Sequence, residues 1–154
     1  MTDENYLAEA VALAESSVEQ GGGPFGALVV KEGKVIGRGS NCVTLSNDPT
    51  AHAEVVAIRE ACKTIDDFSL AGASLYASCE PCPMCLSAIY WSRLDKVVYA
   101  ATRDDAAAAG FDDGVIAREL QLPPDERRLR MQYVKIDGAP PFDKWREKAD
   151  KVAY

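Results

Sequence analysis

One histidine and two cysteines constrain this chain more than any other feature. His52 is the only histidine, and it stands two positions before Glu54. Further along, the chain reads Pro81-Cys-Pro-Met-Cys85. A neutral imidazole and two thiolates are ligands that suit zinc. A fold that uses them must bring His52, Cys82 and Cys85 together.

Local rules place both cysteines at the start of a helix. Pro83 fits the first helical position, where its missing N–H costs nothing, and a residue before proline avoids helical backbone angles. Cys82 is therefore expected at the N-cap, with Cys85 one turn inside the helix. Both sulfurs then face the positive end of the helix dipole, which lowers the thiol pKa and favours the thiolate that a metal requires.

A second helix start is predicted at His52. Thr50 or Asp48 is the expected N-cap, which puts His52 in the first turn. Glu54 then lies roughly 200° around the helix axis, so its carboxylate diverges from the imidazole. A carboxylate beside a metal but not bound to it suits general acid/base catalysis. Three protein ligands leave one tetrahedral position for water, which predicts one catalytic zinc ion per chain.

Cys79 leaves a second interpretation open. With the three predicted ligands it would form a closed structural zinc site without catalysis. An iron–sulfur cluster is disfavoured because no cysteine follows Cys85. A cysteine–histidine nucleophile pair would leave the other cysteines unexplained. Cys42 and Cys62 stand alone among apolar neighbours and are expected to be small core residues.

Composition and charge narrow the classes of partner. The 154 residues fit one domain, 1–154, with an ordinary globular composition of 47% hydrophobic and 27% charged residues. No apolar run approaches the roughly 18 residues of a membrane span, and the N-terminus is acidic and polar, so we expect a soluble, cytoplasmic protein that does not act on membranes. The net charge of −7 disfavours nucleic acid as a substrate.

The spacing of apolar residues predicts an α/β fold. A hairpin is expected from the first two strands, and a strand–helix–strand unit predicts a parallel pair with a right-handed crossover. Strands are predicted at 25–30, 35–39, 74–78, 96–100 and 132–136, and helices at 3–19, 51–62, 83–92, 115–120 and 142–151.

Longer segments resemble the cytidine deaminase-like superfamily, whose signature is His-x-Glu followed by Pro-Cys-x-x-Cys. Ala109–Asp113 and the tyrosine that ends the chain after Phe142–Trp145 are similar to the small bacterial guanine deaminases. The resemblance implies a three-layer α/β/α fold with a mixed five-stranded sheet. It also implies homodimers that exchange a C-terminal segment, about 138–154. The resembling segments are Gly23–Ala27, Ser46–Glu54, Ser78–Cys85 and Ala88–Trp91.

The resemblance further implies zinc-dependent hydrolysis of guanine to xanthine and ammonia. Glu54 would protonate N3, Asp113 would be a second carboxylate near the amino group, and Tyr154 would complete the partner's site. Without the resemblance, Asp113, Tyr154 and the three side chains that follow would be assigned to a turn, a frayed terminus, core packing or a loop contact. The implied substrate contacts are Phe25 stacked on the purine, Asn41 and the backbone of Ala53 holding it, and Trp91 packing at the pocket.

Several other substrates remain open from the sequence. Guanosine, cytosine and aminated triazines fit the same kind of site. A tRNA adenosine deaminase shares the metal signature, although RNA binding normally brings a basic surface.

Overall fold

A four-stranded mixed sheet organises the N-terminal part of the chain. The computed structural model describes residues 1–154 and divides into two units, Met1–Gly114 and Val115–Tyr154. The strand order is β2-β1-β3-β4. The elements of the first unit are α1 (Asp3–Glu19), β1 (Gly23–Lys31), β2 (Lys34–Asn41), α2 (Val43–Ser46), α3 (Ala53–Ile65), β3 (Ala73–Cys79), α4 (Pro83–Trp91), β4 (Lys96–Ala101) and α5 (Arg103–Ala108).

The strand connections follow the predicted pattern. β1 and β2 form an antiparallel hairpin, and its two-residue loop of Glu32 and Gly33 has positive φ at both positions. Such a loop matches the natural twist of the strands. β3 pairs antiparallel with β1 and parallel with β4, and α4 crosses over between β3 and β4. The predicted hairpin and parallel unit are both confirmed.

Helices cover both faces of the sheet, because alternate strand residues point to opposite sides. Leu28 and Tyr76 pack with Tyr6 and Ala10 of α1 on one face. On the other face, Val29 and Leu75 belong to a cluster with residues of α3. The result is the expected three-layer α/β/α arrangement. None of the helices combines the length and the apolar character of a membrane-spanning segment.

Glycines let α3 lie unusually close to β2. A Cβ added at Gly39 would stand 2.1 Å from the carbonyl oxygen of Ala53, and one at Gly37 would stand 2.3 Å from that of Ala57. Such distances are far inside van der Waals contact, so any larger residue would have to move the helix. The absence of side chains at these two glycines therefore allows α3 to lie this close to β2.

The remaining elements are α6 (Gly114–Gln121), a short 3₁₀ turn at Pro124–Glu126, and α7 (Pro140–Glu147). Arg127 Nε donates to the carbonyls of Glu119 and Leu122, which satisfies the C-terminal end of α6. The strand predicted at 132–136 does not form, so the sheet has four strands rather than five. A strand needs a hydrogen-bonded neighbour, whereas this segment pairs with none and exposes its side chains.

Candidate metal centre

The three predicted ligands meet in one cluster. His52 Nδ1 lies 3.6 Å from Cys82 Sγ and 3.4 Å from Cys85 Sγ. A tetrahedral zinc ion bound at 2.0–2.1 Å from nitrogen and 2.3 Å from sulfur would separate these atoms by about 3.6 Å. The donor set and its spacing therefore fit zinc, with His52 binding through Nδ1. Cys85 is buried, whereas His52 and Cys82 are half-buried.

Cys82 is the N-cap of α4, with extended backbone angles and Pro83 at the first helical position, as predicted. His52 is itself the N-cap of α3, so the expected caps Thr50 and Asp48 are wrong. The reason is a local turn. The Asp48 carboxylate accepts hydrogen bonds from the Thr50 N–H at 2.8 Å and hydroxyl at 2.7 Å, which holds these residues outside the helix.

Neither ligand at an N-cap caps its own helix. The side chains of His52 and Cys82 accept no hydrogen bond from the first turns of α3 and α4, and they face each other instead. The positive ends of two helix dipoles therefore converge on the ligand cluster, where they favour thiolate and compensate part of its negative charge.

The two thiols differ in acidity. The pKa of Cys82 is lowered to about 4, mainly by a hydrogen bond from Cys85 and to a smaller extent by one with His52. The pKa of Cys85 is raised, because its proton is held by Cys82 and the sulfur is buried. The expected lowering thus applies to Cys82 alone. A divalent cation that binds both sulfurs must displace any proton that they share.

Glu54 lies beside the cluster without joining it. It is the second residue of α3 and only 8% exposed. Burial is the main cause that raises the pKa of its carboxyl, while a hydrogen bond with Cys85 and the charge of His52 act in the opposite direction. The carboxyl hydrogen bonds with the ligand Cys85, and it is not one of the clustered ligand atoms.

Cys79 does not take part in the ligand cluster. It is buried at the end of β3, and its sulfur lies 3.5 Å from the carbonyl oxygen of Thr102. The closed site with three cysteines is therefore not formed in this structure. Three protein ligands leave a position open, which is the arrangement of catalytic zinc sites.

Sequence comparison identifies the family. The model of the cytidine and deoxycytidylate deaminase zinc-binding region matches residues 1–101. The chain belongs to this family. Its zinc ligands are His52, Cys82 and Cys85, and zinc is its cofactor.

Two relatives and two solved structures are similar over much of their length. The guanine deaminase of Bacillus subtilis (strain 168) is 52% identical over 100% of both chains. A tRNA-specific adenosine deaminase of Aquifex aeolicus (strain VF5) is 44% identical over 90% of this chain and 89% of the relative. The X-ray structure of guanine deaminase from Bacillus subtilis has a TM-score of 0.98, 52% identity, and coverage of 100% of this chain and 99% of that one. A guanine deaminase from Nitrosomonas europaea has a TM-score of 0.66 and 34% identity, covering 71% and 64%.

Two residues that are predicted to contact the substrate, Ala53 and Asn41, are connected to the segment that carries His52. Ala53 is fully buried and follows His52 directly. Asn41 is buried at the end of β2, where its Oδ1 accepts a hydrogen bond from the Val43 N–H at 3.2 Å. The next residue, Cys42, donates its N–H to the carbonyl of Ala51 at 3.0 Å, which ties this segment to the one that carries His52. The short helix α2 follows Cys42 directly.

The remaining predicted residues are more dispersed. Phe25 contacts Phe111 edge to face at 5.1 Å, and both line a cavity of about 580 Å³ that includes Cys79 but none of the ligands. Trp91 ends α4 and is 63% exposed, roughly 12 Å along the axis from the helix start. Tyr154 is exposed in the second unit. The roles of these residues stay predictions.

Asp113 forms an ion pair that the sequence did not indicate. Arg103 Nε lies 3.5 Å from Asp113 Oδ1, and the same guanidinium lies 3.8 Å from Glu80. The three residues lie on separate segments, so no spacing rule connects them. The only sequence signal is the pair Thr102 and Asp105, which forms a capping box and makes Arg103 the first residue of α5.

Proposed function

We propose that the chain catalyses the hydrolytic deamination of guanine to xanthine and ammonia. One observation carries the proposal. The similarity to the Bacillus subtilis guanine deaminase covers both chains completely, including the part beyond residue 101, where the family model ends. The near-identical backbone, with a TM-score of 0.98, supports the same conclusion.

Glu54 is the proposed proton carrier. When bound by the three ligands, zinc would lower the pKa of a water molecule towards about 7. Glu54 would take a proton from the attacking water as its oxygen bonds to C2 of guanine, and pass that proton to N3. The remaining water proton would then move to the 2-amino group, which leaves as ammonia when the C2–N bond breaks. Burial suits Glu54 to this role because it raises the carboxyl pKa towards the working pH.

Other residues would hold the base. Because Asn41 Oδ1 already accepts from the Val43 N–H, its amide nitrogen remains the group that can donate to a purine carbonyl. The Ala53 backbone would bind the ring edge, and Phe25 would stack on its face. Asp113 would assist proton delivery to the leaving amine. Trp91 would close the pocket from the exposed end of α4.

We also propose that the active form is a homodimer in which segment 138–154 is exchanged and Tyr154 reaches the partner's site. Support comes from apolar side chains exposed in this segment, namely Phe142 at 63%, Trp145 at 41% and Tyr154 at 73%. Large exposed apolar surfaces usually mark interfaces. The strand-like sequence at 132–136 also pairs with nothing in one copy of the chain.

Ammonia release from a set of substrates tests the reaction. Guanine, guanosine, cytosine, an aminated triazine, adenine and tRNA would each be assayed with the wild type and Glu54→Gln, with zinc content measured in both. We expect release from guanine, and a loss of kcat by roughly 10²- to 10⁴-fold in Glu54→Gln at full zinc content. Release from tRNA or another base without release from guanine would refute the proposal.

Mixed dimers test the exchange. A Glu54→Ala chain keeps Tyr154, and a chain lacking Tyr154 keeps Glu54. If the tyrosine acts on the partner, unfolding and refolding the two inactive proteins together should restore activity in hybrid dimers. Each protein refolded alone is the control. Full activity of the chain without Tyr154 would contradict its proposed role.

A further inference from the structure

Arg103 connects two acidic residues that are distant in sequence. Its backbone N–H donates to Glu80 Oε2 at 3.0 Å, and its guanidinium lies 3.8 Å from Glu80 Oε1. On its other side, Nε lies 3.5 Å from Asp113 Oδ1. Glu80 stands two residues before the zinc ligand Cys82. The contacts therefore lead from the metal-binding segment to the proposed second carboxylate.

The local structure of α5 produces this arrangement. Thr102 and Asp105 cap its start reciprocally, which fixes Arg103 as the first helical residue. At its end, the Gly110 N–H donates to the Ala107 carbonyl and the Phe111 N–H to the Ala106 carbonyl, at 3.0 and 2.9 Å. This Schellman motif needs the positive φ of Gly110, which is 94°. It reverses the chain, so Asp113 returns to the start of the helix.

The ion pair leaves its facing atoms without hydrogen bonds. Arg103 Nε and Asp113 Oδ1 are both buried, and neither has a hydrogen-bond partner. Their separation of 3.5 Å allows attraction between the charges but not a well-formed hydrogen bond. The charge of Arg103 therefore orients the Asp113 carboxylate through this buried oxygen. The contact between Phe111 and Phe25 holds the same loop from its other end.

We propose that Arg103 is a positioning residue that fixes the Asp113 carboxylate relative to the zinc-binding segment, with Glu80 as its anchor. The proposal rests on the function proposed above, in which Asp113 assists the leaving amine. Arg103 does not itself contact the substrate. Its removal should therefore affect the chemical step more than substrate binding.

The test compares Arg103→Ala, Asp113→Asn and the double variant. Arg38→Ala is the matched control, since it removes another arginine whose Nε lies 2.9 Å from a carboxylate, that of Glu9. In Arg103→Ala we expect faster amide hydrogen exchange at 110–114, unchanged zinc content, and a kcat for guanine lowered roughly 10- to 100-fold with little change in KM. The double variant should be no slower than Asp113→Asn alone.

Each outcome decides a separate point. Unchanged exchange at 110–114 overturns the positioning role, and so do losses of kcat that multiply in the double variant. If the wild type does not deaminate guanine, the proposed function fails, while the exchange comparison still decides whether Arg103 positions the loop. If Arg103→Ala does not fold, Glu80→Gln replaces it. That variant should give the same changes at smaller size, and no change would overturn the proposal.

Discussion

Replacing Gly39 with alanine should disturb the metal centre from a distance. The new Cβ would lie 2.1 Å from the carbonyl oxygen of Ala53 and 2.5 Å from the nitrogen of Ala57. Both atoms belong to the backbone of α3, so a change of side-chain rotamer cannot relieve the contact. Ala53 directly follows the zinc ligand His52. The helix must move away from β2, and its first residues carry the ligand with them.

The size of the movement follows from the contact. A carbon and a carbonyl oxygen normally approach to about 3.3 Å, so the start of α3 has to shift by about 1.2 Å. Overpacking of this kind costs about 1–3 kcal/mol in the free energy of unfolding. Zinc–ligand distances tolerate only about 0.2 Å, and changes in the residues that support ligands typically weaken metal binding by roughly 10- to 100-fold. We expect both effects in Gly39→Ala.

Chelator competition would measure zinc affinity, and urea unfolding of the metal-free protein would measure stability. Gly37→Ala is the matched comparison, because its Cβ would meet Ala57 and Ala61, further along α3 from His52. It should lose similar stability but less zinc affinity. Gly138→Ala, with no neighbour within 4 Å, should change neither. Wild-type zinc affinity in Gly39→Ala, or equal loss in both strand variants, would refute the reasoning.

Three further predictions concern other parts of the first unit. Cys79→Ser should retain one zinc per chain by metal analysis, because its sulfur is outside the ligand cluster; loss of zinc would restore the closed-site interpretation. Burial and the hydrogen bond to Asp3 raise the pKa of Tyr76 to about 12, so its stabilising effect is complete below pH of about 10 and is lost as the pH rises through 12. Tyr76→Phe should be less stable by about 1–2 kcal/mol at pH 8, and in urea unfolding this difference should shrink at alkaline pH; a constant difference would count against it. Gly110→Ala should cost about 1–2 kcal/mol, because φ is 94° there, and a stability equal to the wild type would contradict the strain.

The metal ligands were predictable because their rules are local. A proline after Cys82 determines the N-cap almost alone, and the structure agrees. The start at His52 was harder, since Asp48 and Thr50 both have side chains that favour N-caps. They hydrogen bond to each other, a preference that spacing does not reveal. Arg103 was missed because its contacts join three separate segments.

The fold, too, has features that local rules predict and features that they do not. Apolar periodicity correctly predicted the four strands that form and the helices that cover them. The segment 132–136 has a strand-like sequence, but a strand also depends on a neighbour, and the sequence does not state whether one exists. The helix Val43–Ser46 is too short for any periodic signal. The missing strand and this short helix are both features that tertiary context decides.

Because two of the zinc ligands are N-caps, zinc binding is coupled to the folding of the two helix starts that carry them. A helix start without a side-chain cap frays easily, and neither α3 nor α4 has one. Glu54 lies in the first turn of α3, so it would loosen together with His52. We therefore expect a chain deprived of zinc to open more readily at these helix starts and to be more accessible to proteases, so that scarcity of zinc would reduce its amount as well as its activity.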